Sequence, residues 1–496
     1  MNCRRHGALT LAIAGIALAT GVARWSFLRN RVQPQPVNRL DVAQKPRPPA
    51  SPPVAIPRVK LEESRAETTT AAGPVFPAPA RDITAANDNT RRSALAGADP
   101  PSGENQAARV VLQPLDGTTV PQLMVCHLDD VGHSGSADML QECISRAPAY
   151  SSIEIPPGRY VFDRQVVVAT PLTIRTAGTA GTAPSCSATP DSCATFVAAP
   201  DFRDPWGVLL VTSTNDTTLE HIVIDGARRS RIGSIAARNC LDGQNIFGFN
   251  ASVLYCRNCR VDDVLSRNAL CGTGMAWVGA NAVIQNSTFE GNGDGVPSNM
   301  WADGLTVISA PQSAIVDNRF VDNTDVALIV GYGVGSRIER NVVQQRTQSV
   351  FAGLMLHNFN SNDLSSGGDF RGAVIAHNTV DCGPQLCVFG IQVGPSPWNA
   401  QLIIVGGDVH DNRVSGAKVG INVDGAGMTR APVAIHDNVI SAFPEGAYFS
   451  DCLQPIATRS INISPTSVVD RGDDNTPTGA QLSDLCQLSS TVRTED

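Results

Sequence analysis

Several features are scarce in this 496-residue chain. Aromatic residues make up 5% and charged residues 17%. So few rings exclude a nucleic-acid binder that works by stacking unpaired bases. Beyond residue 23 no uncharged apolar run long enough to cross a bilayer recurs, which excludes a polytopic transporter. No P-loop, dinucleotide-binding fingerprint or Gly-x-Ser-x-Gly elbow occurs. Amphipathic helical patterns do not alternate with strands, so a doubly wound α/β fold is excluded. The apolar fraction of 42% rules out a wholly disordered chain.

The net charge of −8 conceals a division. Residues 1–110 hold 15 Lys and Arg against 8 Asp and Glu, whereas residues 111–496 hold 23 against 38. The larger, acidic part has no general attraction for DNA, RNA or anionic lipid, so nucleic acid is not an expected partner. A polyanionic ligand would need local arginines or a bridging cation.

Arg4 and Arg5 precede an uncharged run from Gly7 to Ala23. This pattern fits a cleaved signal peptide and an uncleaved signal anchor alike, within residues 1–30. Either reading places the bulk of the chain in the periplasm or outside the cell, with residues 7–23 as the only membrane contact. Residues 31–110 carry 13 Pro between Pro34 and Pro101 and little aliphatic clustering, which reads as a disordered linker.

Of 13 cysteines, 12 follow residue 110, a usage compatible with disulfides outside the cytoplasm. Cys186 with Cys193, and Cys382 with Cys387, bracket short loops and are candidate pairs. Cys452 with Cys486 would pin the C-terminal tail. Cys256-x-x-Cys259 stays open between a disulfide and, with Cys240 and Cys271, a four-thiolate zinc site.

An irregular internal repeat dominates the rest. Its first half reads apolar-x-apolar-x-x-Asn-x-apolar, as in AVIQNSTF (Asn286), AIVDNRF (Asn318), RIERNVV (Asn341), AVIAHNTV (Asn378), VHDNRV (Asn412) and AIHDNVI (Asn438). Its second half is a short strand after Gly or a small residue, as in DGLTVI, DVALIVG, GLMLHN, GIQVG and GINVD. Both halves alternate with period two, the pattern of strands with one buried face. Short strands returning at this spacing imply a solenoid. The recurrent Asn suits a tight turn with positive φ, and stacked Asn side chains can bond along the axis.

On these repeats the chain resembles the right-handed parallel β-helix proteins of the pectate-lyase-like superfamily. Ser136-Ala-Asp-Met-Leu-Gln-Glu-Cys-Ile, followed by Ile153-Glu-Ile-Pro-Pro-Gly-Arg-Tyr-Val-Phe, looks like that superfamily's opening element. There an N-terminal helix caps the solenoid, with Met139, Leu140, Cys143 and Ile144 on its core face. The expected fold is therefore all-β, a single-stranded right-handed parallel β-helix over residues 111–453 with a tail from 454 to 496.

Registering the second-half strands by apolar pairs such as Leu305/Val307 and Ala327/Ile329 places Asp303 over Asp325. The stretch is similar to the polygalacturonase motifs: Trp301-Ala-Asp303-Gly stands where that family has Asn-Thr-Asp-Gly, and Asn323-Thr-Asp325 where it has Gly-Asp-Asp. Thr324 replaces one aspartate, Ala352 stands at the family's His position, and Gln392 and Gly394 stand at its Arg and Lys positions. The retained pair, Asp303 and Asp325, is the candidate acid/base pair, and it leaves a divalent cation such as calcium open as a cofactor. Trp301 beside them suits the apolar face of a sugar ring. Outward strand positions, with Thr306, Gln392 and Asn422 in one row and His357 and Asp424 in the next, would offer polar groups to an extended polymer. Arg228, Arg229 and Arg231 form a small basic cluster, read as a solvated loop. His221, His377, His410 and His436 precede turns and are read as turn or surface residues.

Two functions fit these residues. One is an exported or membrane-tethered protein that binds a polysaccharide and cleaves it, by hydrolysis or by elimination. The other is a non-catalytic structural or adhesive β-helix of the cell envelope, with the aspartates capping turns.

Overall fold

The structure is a computed structural model. It describes residues 121–128, 135–179, 184–295, 297–359, 367–394, 404–423, 431 and 433–441. It also gives the backbone of strands Ala447–Phe449, Pro455–Ala457, Arg459–Ile463 and Gln481–Leu482. The expected signal or anchor segment, the Pro-rich linker, Cys452, Cys486 and Asp424 lie outside the described residues.

Each repeat closes one coil of a parallel β-helix. A regular coil contains three strands, exemplified by Ala314–Val316, Arg319–Val321 and Val326–Val330. Each strand pairs in parallel with its counterpart one coil on: Arg337–Glu339, Val342–Gln344 and Val350–Leu356. A parallel strand-to-strand crossover takes the right-handed sense. Strands of the first two kinds merge into a 19-stranded sheet, and the third kind stacks into an 11-stranded sheet. That second sheet continues past residue 453, because Arg459–Ile463 pairs with Val419–Val423.

Stacking sends like residues into like places. Ile284, Ile315, Ile338, Ile375, Val409 and Ile435 form one buried column in register. Phe289 over Phe320 begins a second, with ring centroids 5.2 Å apart. Leu305, Leu328, Leu354, Ile391 and Ile421 form the third. Each fully buried aliphatic side chain contributes about 1.5–3 kcal/mol, so three such columns are the main cohesive element. The small residue ahead of the third strand now has a reason. Gly353 and Gly390 lie in register with Ala327 and Gly420, at a narrow edge of the core. A Cβ on Gly390 would sit 2.1 Å from Val414 Cγ1.

The recurrent Asn residues are buried and form a ladder. Asn318 Nδ2 donates to Asn341 Oδ1 (3.1 Å), Asn341 to Asn378 (3.0 Å), Asn378 to Asn412 (2.9 Å) and Asn412 to Asn438 (2.9 Å). The positive φ falls one residue earlier, on Asp317, Arg340, His377, Asp411 and Asp437. Asn286, aligned by sequence with the ladder, belongs to that corner column (φ 52°), and Ser287 takes the ladder position, donating its N–H to Asn318 Oδ1. The turn and the ladder are thus filled by neighbouring residues.

The helix Ser136–Arg146 closes the N-terminal end, with Leu140 and Ile144 buried and Met139 and Cys143 packed against the core. Gln141 pairs like a strand: its Nε2 donates to Val167 O (3.0 Å) and its Oε1 accepts from Val167 N (2.8 Å). This covers an edge that would otherwise template further pairing.

Five disulfides occur among the described residues: Cys126–Cys143, Cys186–Cys193, Cys240–Cys271, Cys256–Cys259 and Cys382–Cys387. The four cysteines of the alternative zinc site are therefore paired off two by two. No helix among the described residues is long and apolar enough to cross a membrane.

Candidate functional site

The outer face of the 11-stranded sheet carries the residues singled out by sequence. Thr306, Ile329, Met355, Gln392 and Asn422 form one outward row in register. The row is buried rather than solvated, and apolar at its centre. At its far end Asn422 Nδ2 donates to Gln392 Oε1 (2.7 Å), and Gln392 Nε2 donates to Gly394 O (3.3 Å). His357, one strand position past the row, is buried with its ring edge-on to Phe359 at 4.6 Å.

Asp303 and Asp325 lie at the same strand entrance, one coil apart. Their register differs from the sequence alignment by one residue. Leu305 pairs with Leu328, so Asp303 falls beside Val326. Asp303 is fully buried; its Oδ1 accepts from Val326 N–H (3.0 Å) and its Oδ2 from the Thr306 hydroxyl (2.7 Å). Asp325 is buried too, and its N–H donates to Ala302 O (3.0 Å). Nearby Asp322 accepts from the N–H groups of Arg346 and Thr347 and from the Thr347 hydroxyl. Partial burial pushes its carboxyl up, and these bonds together outweigh that and hold it below the usual range.

Trp301 precedes Asp303 and is half-buried, its ring resting over Gly295. Other rings cluster on the outer face of the 11-stranded sheet. Trp206 meets Phe249 edge-on at 5.9 Å, and Phe351 meets Phe389 edge-on at 5.1 Å. Phe359 packs against both groups, so an aromatic and aliphatic band crosses the outer face of several coils. Trp206, Phe351 and Phe359 each keep part of their surface exposed. Sequence reasoning missed this band because its members come from loops and strand ends without a common spacing.

Of the basic cluster only Arg229 is solvated; Arg228 and Arg231 are not. Arg231 is wholly buried and donates to the carbonyls of Gly226, Phe202 and Phe247 at 3.1–3.2 Å, and its guanidinium lies 5.4 Å from the Phe202 ring centroid. Burial pushes its pKa down to about 10. Arg228 is held by the Gly291 carbonyl, and burial is also the main cause of its lowered pKa. Both arginines tie the loop that follows Asp225 to the solenoid. His410 and His436 stack one coil apart, with centroids 5.0 Å apart, and His436 contacts Asp437 and Asp408.

Calcium takes six to eight oxygen ligands. At this entrance each Asp303 oxygen accepts a protein hydrogen bond, and the one from Val326 N–H anchors that carboxylate to the strand of the next coil.

Among solved structures the chain is similar to the Dettilon tailspike protein, at 11% identity, covering 72% of this chain and 68% of that one with a TM-score of 0.45. It is similar to an exopolygalacturonase from Thermotoga maritima, at 12% identity over 67% and 82% of the two chains with a TM-score of 0.39. It is also similar to the pectate lyase Pel9A, at 12% identity over 77% and 86% with a TM-score of 0.38. No protein-family model and no curated protein matches the chain.

Proposed function

We propose that this is an exported β-helix protein that binds a polysaccharide along the outer face of its 11-stranded sheet. The observation that carries this reading is the band of half-buried rings formed by Trp206, Phe351 and Phe359; Trp301 is a further candidate ring for a sugar. Flat apolar faces with polar groups close by are what pyranose rings stack on. A parallel solenoid repeats such positions about every 4.8 Å, which suits an extended polymer. Thr306, His357, Gln392 and Asn422 on this face are buried, so direct contact with the glycan falls to the partly exposed rings, and these polar groups would act by holding the face in shape. Export, by a signal peptide or a signal anchor within residues 1–30, accords with the five disulfides. Cleavage, where it occurs, would use Asp303 and Asp325.

One observation favours a second reading, a non-catalytic adhesive or structural role. Asp303 is buried and bonds to the backbone of the next coil, as a turn-capping carboxylate would.

The full chain is incubated with a panel of neutral and acidic polysaccharides. Retention, reducing ends and unsaturated products are measured for wild type, Asp303→Asn and Asp325→Asn. Retention with product lost in both variants supports binding with cleavage. Retention without product supports the adhesive reading. Neither retention nor product on any glycan overturns the proposal.

A further inference from the structure

One cluster lies away from that face, beneath the loop that carries Cys186 and Cys193. The two cysteines are fully buried and form a disulfide. Under them is the first corner of the positive-φ column, where His221 (φ 54°) and Asp263 (φ 50°) are neighbours across the pair of strands Thr218–Asp225 and Arg260–Arg267. One ligand atom from each of Cys186, Cys193 and His221 can be chosen so that all three lie within 4.8 Å of one another.

His221 is oriented. Its Nδ1 meets Asp263 Oδ2 at 2.5 Å, and its side chain is only 7% exposed. The Asp263 carboxylate also accepts from the Cys186 N–H, at 3.2 Å to each oxygen, which fixes the loop to the same carboxylate. The other ring nitrogen, Nε2, is buried with no hydrogen-bond partner. With Nδ1 engaged by a carboxylate, Nε2 presents a lone pair inside the protein. A buried acceptor left unsatisfied is destabilising, so the position favours a partner. A carboxylate behind an imidazole is also the arrangement that orients and strengthens a histidine metal ligand.

We propose that Cys186, Cys193 and His221 Nε2 form a three-ligand site for a soft divalent metal such as zinc when the disulfide is reduced, with Asp263 as the positioning residue. The chemistry balances through an external dithiol. The dithiol gives two electrons and two protons to the Cys186–Cys193 bond and is itself oxidised to a disulfide. The metal ion then displaces the two thiol protons, and the fourth coordination position takes water or an outside ligand. Two thiolates and one imidazole are ligand types that zinc accepts in tetrahedral sites. The disulfide would thereby act as the oxidised, metal-free state of the site.

The test uses the full chain, reduced with a phosphine under argon and then given zinc or cobalt(II) chloride. Iodoacetamide labelling of each cysteine is read by peptide mass spectrometry. Zinc is expected to slow alkylation of Cys186 and Cys193 at least ten-fold relative to metal-free reduced protein. Cobalt is expected to give a thiolate charge-transfer band in wild type that is absent before reduction. Asn tolerates positive φ, so His221→Asn preserves the corner; it should abolish the protection at both cysteines. Asp263→Asn should weaken cobalt binding by about 10–100-fold. Equal alkylation of Cys186 and Cys193 with and without zinc overturns the proposal, as does zinc protection of both cysteines that persists unchanged in His221→Asn. Because zinc protection is read cysteine by cysteine in the wild-type chain, that arm alone can overturn the proposal whether or not a variant folds.

Discussion

Asn341 and Asn378 are 37 residues apart in sequence and adjacent in space: the Nδ2 of one donates to the Oδ1 of the other at 3.0 Å. The same Asn378 oxygen accepts the Asn341 backbone N–H at 3.0 Å, and the Asn378 amide reaches Ile338 O at 2.8 Å and Asn412 Oδ1 at 2.9 Å. One side chain thus satisfies groups from the two coils that flank its own. Replacing it by Ala strips partners from several buried polar groups at once. Asn378→Ala is expected to lower unfolding free energy by about 3 kcal/mol or more. Urea denaturation of the full chain would read this, and a loss under about 1 kcal/mol would show that the ladder is not cohesive.

Gly390 makes a different contribution, through the absence of a side chain. Its missing Cβ leaves room for Val414 Cγ1 and for Gly420 O, which an added Cβ would approach to 2.1 and 2.6 Å. Gly390→Ala is expected to destabilise by about 1–3 kcal/mol through overpacking. The double variant Gly390→Ala with Val414→Ala should recover part of that loss. Thermal melting of the three proteins checks it, and a stable single variant would contradict the narrow edge described above.

The histidines on the corner side give stability a pH dependence. The hydrogen bond to Asp437 is the largest cause of a raised His436 pKa, with burial opposing it and Asp408 adding to it. A histidine raised above its ordinary value near 6.5 contributes its full stabilisation below that pH and loses it as pH rises through the folded-state pKa. The group is partly exposed, so the effect stays below about 1 kcal/mol. The stability gap between wild type and His436→Gln should therefore narrow from about pH 5.5 to about pH 8.5. A gap that widens over this range would reverse the assignment.

Much of the solenoid was legible because burial imposes period two on each strand and stacking imposes recurrence on the Asn ladder. What escaped had physical reasons. Val326-Ala-Leu-Ile-Val330 is apolar on both faces, so alternation could not distinguish Ala327 from Leu328 as the partner of Leu305, and the aspartate register slipped by one. Asn286 fits both a positive-φ corner and a ladder rung by residue type, and only pairing with Asp317 places it at the corner. A single apparent strand around each Asn is two strands, bent at the residue before it. The outward row around Ile329 and Met355 is covered, and the burial of Arg231 depends on carbonyls contributed by three separate segments. Neither leaves a local pattern.

The central claim is that the aromatic band on the outer sheet face meets a glycan. Its most direct test is calorimetric titration of the best-retained polysaccharide into the full chain, its Phe351→Ala and Phe359→Ala variants, and Arg337→Ala on the other sheet as a control. The account predicts about ten-fold weaker binding, roughly 1.4 kcal/mol, for each aromatic variant and unchanged binding for the control. Unchanged affinity in folded Phe351→Ala and Phe359→Ala proteins, or a loss confined to Arg337→Ala, would contradict it.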